Sequence, residues 1–348
     1  MNFTEHCDGE KWVREGSPTT SVLMFSAGVL GNVAALVLLE VRRRRRKQTA
    51  RGHSSNCSLF QILLTALLVT DLLGTCSVSP LVIAAYARNE SLRALGGSVV
   101  SCRHFGFAMT FFSLVTLALL LCMALERCLS IAMPYFYERH LSARCGYLAL
   151  ALVYVSGALF CLAPFFGFGE YVQFCPGTWC FVDMLSSKRV HCIYKNLYAS
   201  CLLVMIVCTV LCNACVIYHL VLMYRRVELH RGSARRFRAS TRTHSLAEEL
   251  EHLVLLAFMT ITFLICSLPL VIRLYISSFS TNHTMDLTAL LLLSMNPILD
   301  PWVFILLSPP VPHLLWGAVC TVLRPCPLDN KVPLSAGPHT QTTMELQT

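Results

Sequence analysis

The sequence predicts an all-α membrane protein, a seven-transmembrane helix bundle with the N-terminus outside and a short C-terminal tail inside. Of its 348 residues, 55% are hydrophobic and only 14% are charged, which is too apolar for an ordinary soluble domain. A bilayer core about 30 Å thick needs roughly 20 apolar residues in a helix, and seven stretches are long enough. These spans cover residues 21–41, 59–86, 105–131, 146–168, 197–224, 253–275 and 287–307.

The distribution of Lys and Arg sets the orientation of the spans. Segments placed inside hold 19 of the 28 basic residues, and segments placed outside hold seven. This excess on short inner loops is the positive-inside pattern. We therefore expect an extracellular N-terminus at 1–20, a membrane domain at 21–308, and a membrane-proximal segment with a cytoplasmic tail at 309–348. The sequons at Asn2, Asn89 and Asn282 then all lie outside, where they are glycosylation candidates.

The net charge of +9 follows from this topology. Basic inner segments predict contact with anionic membrane lipids. No base-stacking aromatic residues interleave the arginine run at 42–46, so nucleic acid is not an expected partner. The expected location is the plasma membrane, as a multi-pass protein.

Spans one, two and seven carry polar residues at mid-membrane depth. Asn32 lies in span one, Asp71 in span two, and Asn296 and Asp300 in span seven. Buried carboxylates must find partners, water or a cation. A polar cluster that holds a sodium ion, an ion or proton path in a transporter, and a satisfied packing network all remain open from this pattern.

Span three ends in an acid–base pair, Glu126-Arg127. A basic side chain at mid-membrane costs at least ~2.5–3.5 kcal/mol. Arg127 is therefore expected at the cytoplasmic end of the bundle, where it either forms an ion pair or has a functional role. The alternative is a side chain that simply extends to the interface.

Nine of the 18 cysteines lie within the predicted spans, where a thiol behaves as a small apolar group. An outer set faces an oxidising compartment, in which disulfides persist. It consists of Cys7, Cys102, Cys175, Cys180 and Cys192. Cys320 and Cys326 follow the last span and are candidates either for palmitoylation or for unmodified thiols.

Spans six and seven contain Pro269 and Pro301. Each proline removes a helix hydrogen bond and weakens the helix locally. Kinks of this kind supply the bistable elements that a switch needs.

Several of these segments resemble prostanoid receptors among the rhodopsin-like G-protein-coupled receptors. The outer loop at 173–181, QFCPGTWCF, is similar to the family's characteristic loop, and DPWVF at 300–304 stands where most rhodopsin-like receptors have Asn-Pro-x-x-Tyr. The family also lacks a tryptophan before Pro269, a tryptophan in span four and a proline in span five, as this chain does. The segments 107–114 and 296–302 resemble the branch that raises cyclic AMP, which comprises receptors for prostaglandins E and D and for prostacyclin.

The resemblance implies a lipid ligand with one carboxylate, held in an apolar slot with a few polar anchors. The family's carboxylate anchors correspond to Tyr86 and Thr178. A third anchor, an arginine in span seven, is replaced by Leu291, and Arg273 in span six is the expected substitute. Met109 and Trp179 complete the expected ligand-binding set.

The resemblance also implies two disulfides, Cys102–Cys180 and Cys7–Cys175, with Cys192 as a competing partner in the second. It implies a switch in which Glu126 holds Arg127 until span six moves outward. The further switch and coupling residues are Pro134, Tyr135, Asp71, Asn296, Asp300, Pro301 and Pro269. A stimulatory G protein is the expected partner, and arrestin is expected to read phosphorylated Ser and Thr in the tail.

The expected function is therefore a receptor for a prostanoid, prostaglandin E first, that raises cyclic AMP. The alternatives are altered lipid specificity or constitutive activity in the same fold, and an ion-coupled transporter that uses Asp71 and Asp300. A transporter would favour internal repeats with paired half-helices, and none is visible in the sequence. No zinc cluster or Gly-x-Ser-x-Asp pattern lies within a span, so neither an enzyme nor a cofactor is expected. A sodium ion near the two aspartates is the only metal considered.

Overall fold

The computed structural model describes residues 18–49, 58–95, 99–185, 188–230, 239–276 and 283–307. Eight α-helices and one β-hairpin are present in this part of the chain. The helices are α1 (Pro18–Thr49), α2 (Leu59–Arg88), α3 (Val100–Ala132), α4 (Pro134–His140), α5 (Ala143–Leu162), α6 (Arg189–His230), α7 (Ala239–Ile276) and α8 (His283–Leu307). Seven of them, all except α4, are long and apolar enough to cross a membrane, which confirms the predicted bundle.

Helix α3 forms the centre of the bundle. It packs against α2, α5 and α6, and its buried positions run from Cys102 at the outer end to Arg127 at the inner end. Large apolar side chains on the outer faces of the other helices remain exposed, as a lipid environment requires. Asp71, Asp300 and the Glu126-Arg127 pair, by contrast, are buried inside the bundle and do not face lipid.

Close helix approach depends on small residues. A Cβ added at Gly31 of α1 would lie 2.9 Å from the indole nitrogen of Trp302 in α8. A Cβ at Gly74 of α2 would lie 3.1 Å from Phe112 in α3. These glycines let the aromatic side chains of the neighbouring helices pack directly against the backbone of α1 and α2. Membrane helices associate through such close packing, because burial from lipid supplies no hydrophobic driving force.

Span four ends earlier than its apolar stretch suggests. Helix α5 stops at Leu162 and continues as one turn of 3₁₀ helix, Ala163–Phe166. Gly167 ends this turn in the left-handed region, with φ of 88°. Pro164 lies in the turn and supplies no backbone N–H, and the candidate membrane span ends at Phe166, before residue 168.

The outer loop folds into an antiparallel hairpin of β1 (Tyr171–Phe174) and β2 (Trp179–Val182). Tyr171 pairs with Val182 and Phe174 pairs with Trp179. Gly177, with φ of 102°, allows the tight turn between the strands. The disulfide Cys102–Cys180 joins β2 to the outer end of α3, which confirms the first predicted pairing.

Candidate functional site

The hairpin brings the two predicted anchors together at the outer end of the bundle. Thr178 is fully buried in the hairpin turn, and its hydroxyl donates to the Tyr86 hydroxyl at 3.4 Å. Trp179 packs edge-on against Phe105 of α3, with ring centroids 5.6 Å apart. The two anchor hydroxyls therefore contact each other, and Trp179, which follows Thr178 in the chain, packs against an aromatic side chain of α3.

A cavity of about 70 Å³ lies deeper between α2, α3, α7 and α8. Its wall contains Met109, as expected, together with Phe112 and Phe263. Ser113 and Ser294 add hydroxyl groups to the same cavity. The space is apolar with a few convergent polar groups, which is the usual character of a small-molecule site.

Leu291 lies one helical turn outward from the cavity residue Ser294. The Ser294 hydroxyl donates to the Leu291 carbonyl at 2.7 Å. The Leu291 side chain is 37% exposed, whereas that of Leu290 is fully buried. A longer polar side chain at position 291 can therefore extend without displacing the helix core.

Arg273 has a different partner from the ligand carboxylate expected of it. Its Nε and Nη2 both lie 2.7 Å from Oδ1 of Asp286. The Asp286 side chain is completely buried and that of Arg273 nearly so. Because this ion pair offsets the arginine charge, a ligand carboxylate would have to compete with Asp286 for Arg273. The expectation that Arg273 replaces the missing span-seven arginine stays a prediction.

A hydroxyl network that the sequence did not reveal fixes the hairpin to the helices. The Tyr171 hydroxyl donates to the Cys161 carbonyl at 2.8 Å and lies 3.0 Å from the Thr110 hydroxyl. Burial raises the pKa of Tyr171, so the phenol stays protonated and remains a donor. The Ser113 hydroxyl lies 2.9 Å from that of Tyr198, which ties the cavity wall to α6.

The mid-membrane polar residues form one cluster below the cavity. Asp71 Oδ1 accepts a hydrogen bond from Thr116 at 3.0 Å, and Asn296 donates to Ser267 at 3.1 Å. Asp71 of α2 and Asp300 of α8 are both buried, and these two helices pack against each other.

Several oxygens of this cluster have no hydrogen-bond partner among the described residues. They are Asp71 Oδ2, Asn296 Oδ1 and both carboxylate oxygens of Asp300. Buried oxygens of this kind suit a small monovalent cation, so the sodium site near Asp71 and Asp300 stays a prediction.

The cytoplasmic end of α3 contains the predicted acid–base pair. Arg127 Nε lies 2.5 Å from Glu126 Oε2, and Nη2 lies 2.6 Å from Oε1. The Arg127 guanidinium also lies over the Phe60 ring of α2, 5.0 Å from its centroid. Both charged side chains are buried. The pair is therefore desolvated, and separating it requires a rearrangement of the inner ends.

Helix α4 supplies an additional contact to this pair. The Tyr137 hydroxyl donates to Glu126 Oε1 at 2.6 Å. Tyr137 is thus turned toward the bundle. Tyr135, which directly follows the Pro134 that starts α4, projects outward and is 77% exposed.

Replacement of Tyr137 by Phe is expected to raise basal cyclic AMP about twofold to tenfold. The change removes one hydrogen bond to a carboxylate, worth ~1.5–3 kcal/mol at most, and so weakens the hold of Glu126 on Arg127. Basal cyclic AMP in transfected cells, normalised to surface receptor, is the measurement. Tyr147→Phe, which removes a hydroxyl from the lipid-facing side of α5, is the matched control. Unchanged basal signalling in Tyr137→Phe would contradict a restraining role.

The second disulfide and the glycosylation sites are described only in part. Cys175 is disulfide-bonded, whereas Cys192 carries a thiol, so Cys192 is not its partner. The Asn89 side chain is exposed at the end of α2. Outside the described residues lie Cys7, Asn2, Asn282, Cys320, Cys326 and the segment 309–348.

Comparisons with known proteins agree with this arrangement. Residues 31–304 match the family described as 7 transmembrane receptor (rhodopsin family). The chain is 48% identical over 325 residues to the mouse prostaglandin E2 receptor EP2 subtype, which covers 91% of this chain and 88% of the relative. It is 42% identical over 322 residues to the mouse prostacyclin receptor, covering 91% and 74%. Squid rhodopsin superposes with a TM-score of 0.71 at 13% identity, covering 91% and 90%.

Proposed function

The chain belongs to the rhodopsin family of seven-transmembrane receptors, and we propose that it binds a prostanoid, prostaglandin E first, and signals through the stimulatory G protein to raise cyclic AMP. The observation that carries this proposal is the contact between Tyr86 and Thr178 above an apolar cavity. It is supported by relatives named as receptors for prostaglandin E2 and prostacyclin. A receptor of this family lies in the plasma membrane and is not an enzyme.

The hydroxyls of Tyr86 and Thr178 are neutral hydrogen-bond donors that can bind a ligand carboxylate. Thr178 and Tyr86 already contact each other, and a carboxylate oxygen placed beside them would accept from both. The hydrocarbon part of the ligand would then extend toward Met109 and Phe263 in the cavity wall. Burial of that chain supplies most of the binding free energy, at about 25 cal/mol for each Å² of apolar surface.

Signalling requires the ligand cavity to influence the cytoplasmic pair. The cavity wall contains Phe263 of α7, two turns before the helix-weakening Pro269. The polar cluster continues from the cavity floor at Asp71 to Asp300, beside the second proline, Pro301. We propose that a ligand shifts α7 and α8 at these weak points, which opens the inner end and releases Arg127 toward the G protein. Arrestin binding to a phosphorylated tail remains a prediction.

Cells expressing the chain are expected to raise cyclic AMP when given prostaglandin E and more weakly with other prostanoids. Tyr86→Phe and Thr178→Val should each lower agonist potency by about twofold to tenfold, because each removes a hydrogen bond worth ~0.5–1.5 kcal/mol. Tyr147→Phe, outside the cavity, should leave potency unchanged.

Two results would count against this assignment. An ion current or ion uptake without a cyclic AMP response would favour a transporter. High basal cyclic AMP that no prostanoid alters would favour a constitutively active receptor.

A further inference from the structure

A second cavity, of about 230 Å³, opens at the outer end of the bundle and is separate from the ligand cavity. It lies between Arg103 near the start of α3, Tyr171 at the start of β1, and Lys188 directly before α6. A single water molecule needs about 10–15 Å³, so this cavity admits a much larger group. The lining is mainly polar and charged.

The charges around this cavity favour an anion. Arg103 and Lys188 contribute two cations, and Glu170 is the one acidic residue of the lining. The Glu170 carboxylate lies 3.5 Å from Nδ1 of His191, which also lines the cavity. Within the described residues, no acidic side chain pairs with the exposed guanidinium of Arg103. At Gly167, where a Cβ would meet nothing within 4 Å, the backbone leaves additional space.

The cavity lies at the outer ends of the candidate membrane spans, where the hydrocarbon core of a surrounding bilayer would give way to polar headgroups. Its parts come from the outer ends of three spans and the turn that ends α5. Three phenylalanine side chains beside it are exposed, Phe165 by 44%, Phe166 by 86% and Phe168 by 36%. Exposed aromatic rings next to cations at this depth match both parts of a phospholipid, the acyl chain and the phosphate.

We propose that this cavity binds the phosphodiester headgroup of an outer-leaflet phospholipid. Arg103 and Lys188 donate to the phosphate oxygens, and the Phe165 and Phe166 rings contact the acyl chains beneath. Arginine suits this role because its planar fork matches phosphate geometry. The carboxylate of Glu170 attracts the ammonium of a choline headgroup, which makes phosphatidylcholine the expected class.

Such a lipid would stabilise the β-hairpin at the outer end of the bundle. Tyr171 lines this outer cavity, and its hydroxyl contacts Cys161 and Thr110. A headgroup in contact with the Tyr171 ring would therefore stabilise the contacts of the hairpin with α3 and α5. The lipid site and the ligand cavity share no lining residue.

Native mass spectrometry of the full chain, purified in detergent and freed of lipid, tests the proposal. The probes are dioleoylphosphatidylcholine, dioleoylglycerol with the same acyl chains but no phosphate, and inorganic phosphate alone. We expect phosphatidylcholine to bind and dioleoylglycerol to bind at least tenfold more weakly. Arg103→Gln and Lys188→Gln should each weaken phosphatidylcholine binding by roughly tenfold. Arg88→Gln, which removes an exposed outer cation away from the cavity, should not.

Several outcomes would overturn the proposal. Equal binding of dioleoylglycerol would show that acyl chains alone are recognised. An equal loss in Arg88→Gln would reduce the effect to general surface charge. Inorganic phosphate that binds as tightly as the lipid would assign the cavity to a soluble anion. Arg103 is adjacent to the disulfide at Cys102, and if its variant does not fold, unchanged binding in Lys188→Gln alone decides against the site.

Discussion

Replacing Arg127 by Ala is expected to abolish agonist-stimulated cyclic AMP accumulation. Arg127 is buried at the inner end of α3 and makes two contacts with Glu126. If its guanidinium becomes part of the G-protein cavity when the inner end opens, an alanine there leaves no group to replace it. We expect the maximal response to fall at least tenfold, measured at matched surface expression.

The main difficulty with this variant is stability. Removing one partner of a buried pair typically costs ~3–5 kcal/mol, because the other charge remains unpaired. The double variant Glu126→Gln with Arg127→Ala removes that charge and should recover surface expression without recovering signalling. Glu126→Gln alone should instead raise basal signalling, since Arg127 then loses its charged neighbour. Normal signalling by a well-expressed Arg127→Ala receptor would exclude the switch role.

Replacing Leu291 by Arg is expected to raise the potency of prostanoid acids by tenfold or more. A hydrogen bond to a charged group contributes ~1.5–3 kcal/mol against ~0.5–1.5 for a neutral one, and 1.4 kcal/mol corresponds to a factor of ten. Position 291 lies one turn outward from the cavity residue Ser294. Methyl esters of the same prostanoids, which carry no charge, should gain much less.

The acid Asp286 does not compete for the new arginine. It is already paired with Arg273, and residues five apart on a helix do not share a face. Leu291→Gln is the matched control, because it adds a polar side chain without charge and should raise acid potency only slightly. Either of two findings would refute the idea: no gain from Leu291→Arg in a well-expressed receptor, or nanomolar potency of a free acid on the unaltered chain.

The seven spans could be predicted from sequence because the bilayer imposes a length and a polarity on each helix. The same argument predicted that Glu126 and Arg127 lie at the inner end of α3, because charged side chains at mid-membrane depth are costly. Asp71 and Asp300 were also located correctly inside the bundle. The bilayer imposes these features on the sequence, and they do not require any particular contact between side chains.

The hairpin and the Arg273 ion pair depend on tertiary contacts, and the sequence did not reveal them. All four residues of β2 are buried, so the alternation that usually marks a strand is absent. Arg273 and Asp286 are in different helices, and only the packing of α7 against α8 shows that they meet. The inward turn of Tyr137 has the same origin, because its direction is set by the position of α4 beneath α3.

The buried hairpin also bears on how long a ligand stays. The hairpin is joined to the rest of the outer surface by hydrogen bonds from the Leu92 N–H to the Gly177 carbonyl and from the Arg93 N–H to the side-chain oxygen of Gln173, and by the disulfide at Cys180. A ligand beneath the hairpin can dissociate only when the hairpin moves away from the helices or the helices separate. Affinity would then be expressed mainly as slow dissociation, and signalling would outlast removal of ligand from the surrounding fluid.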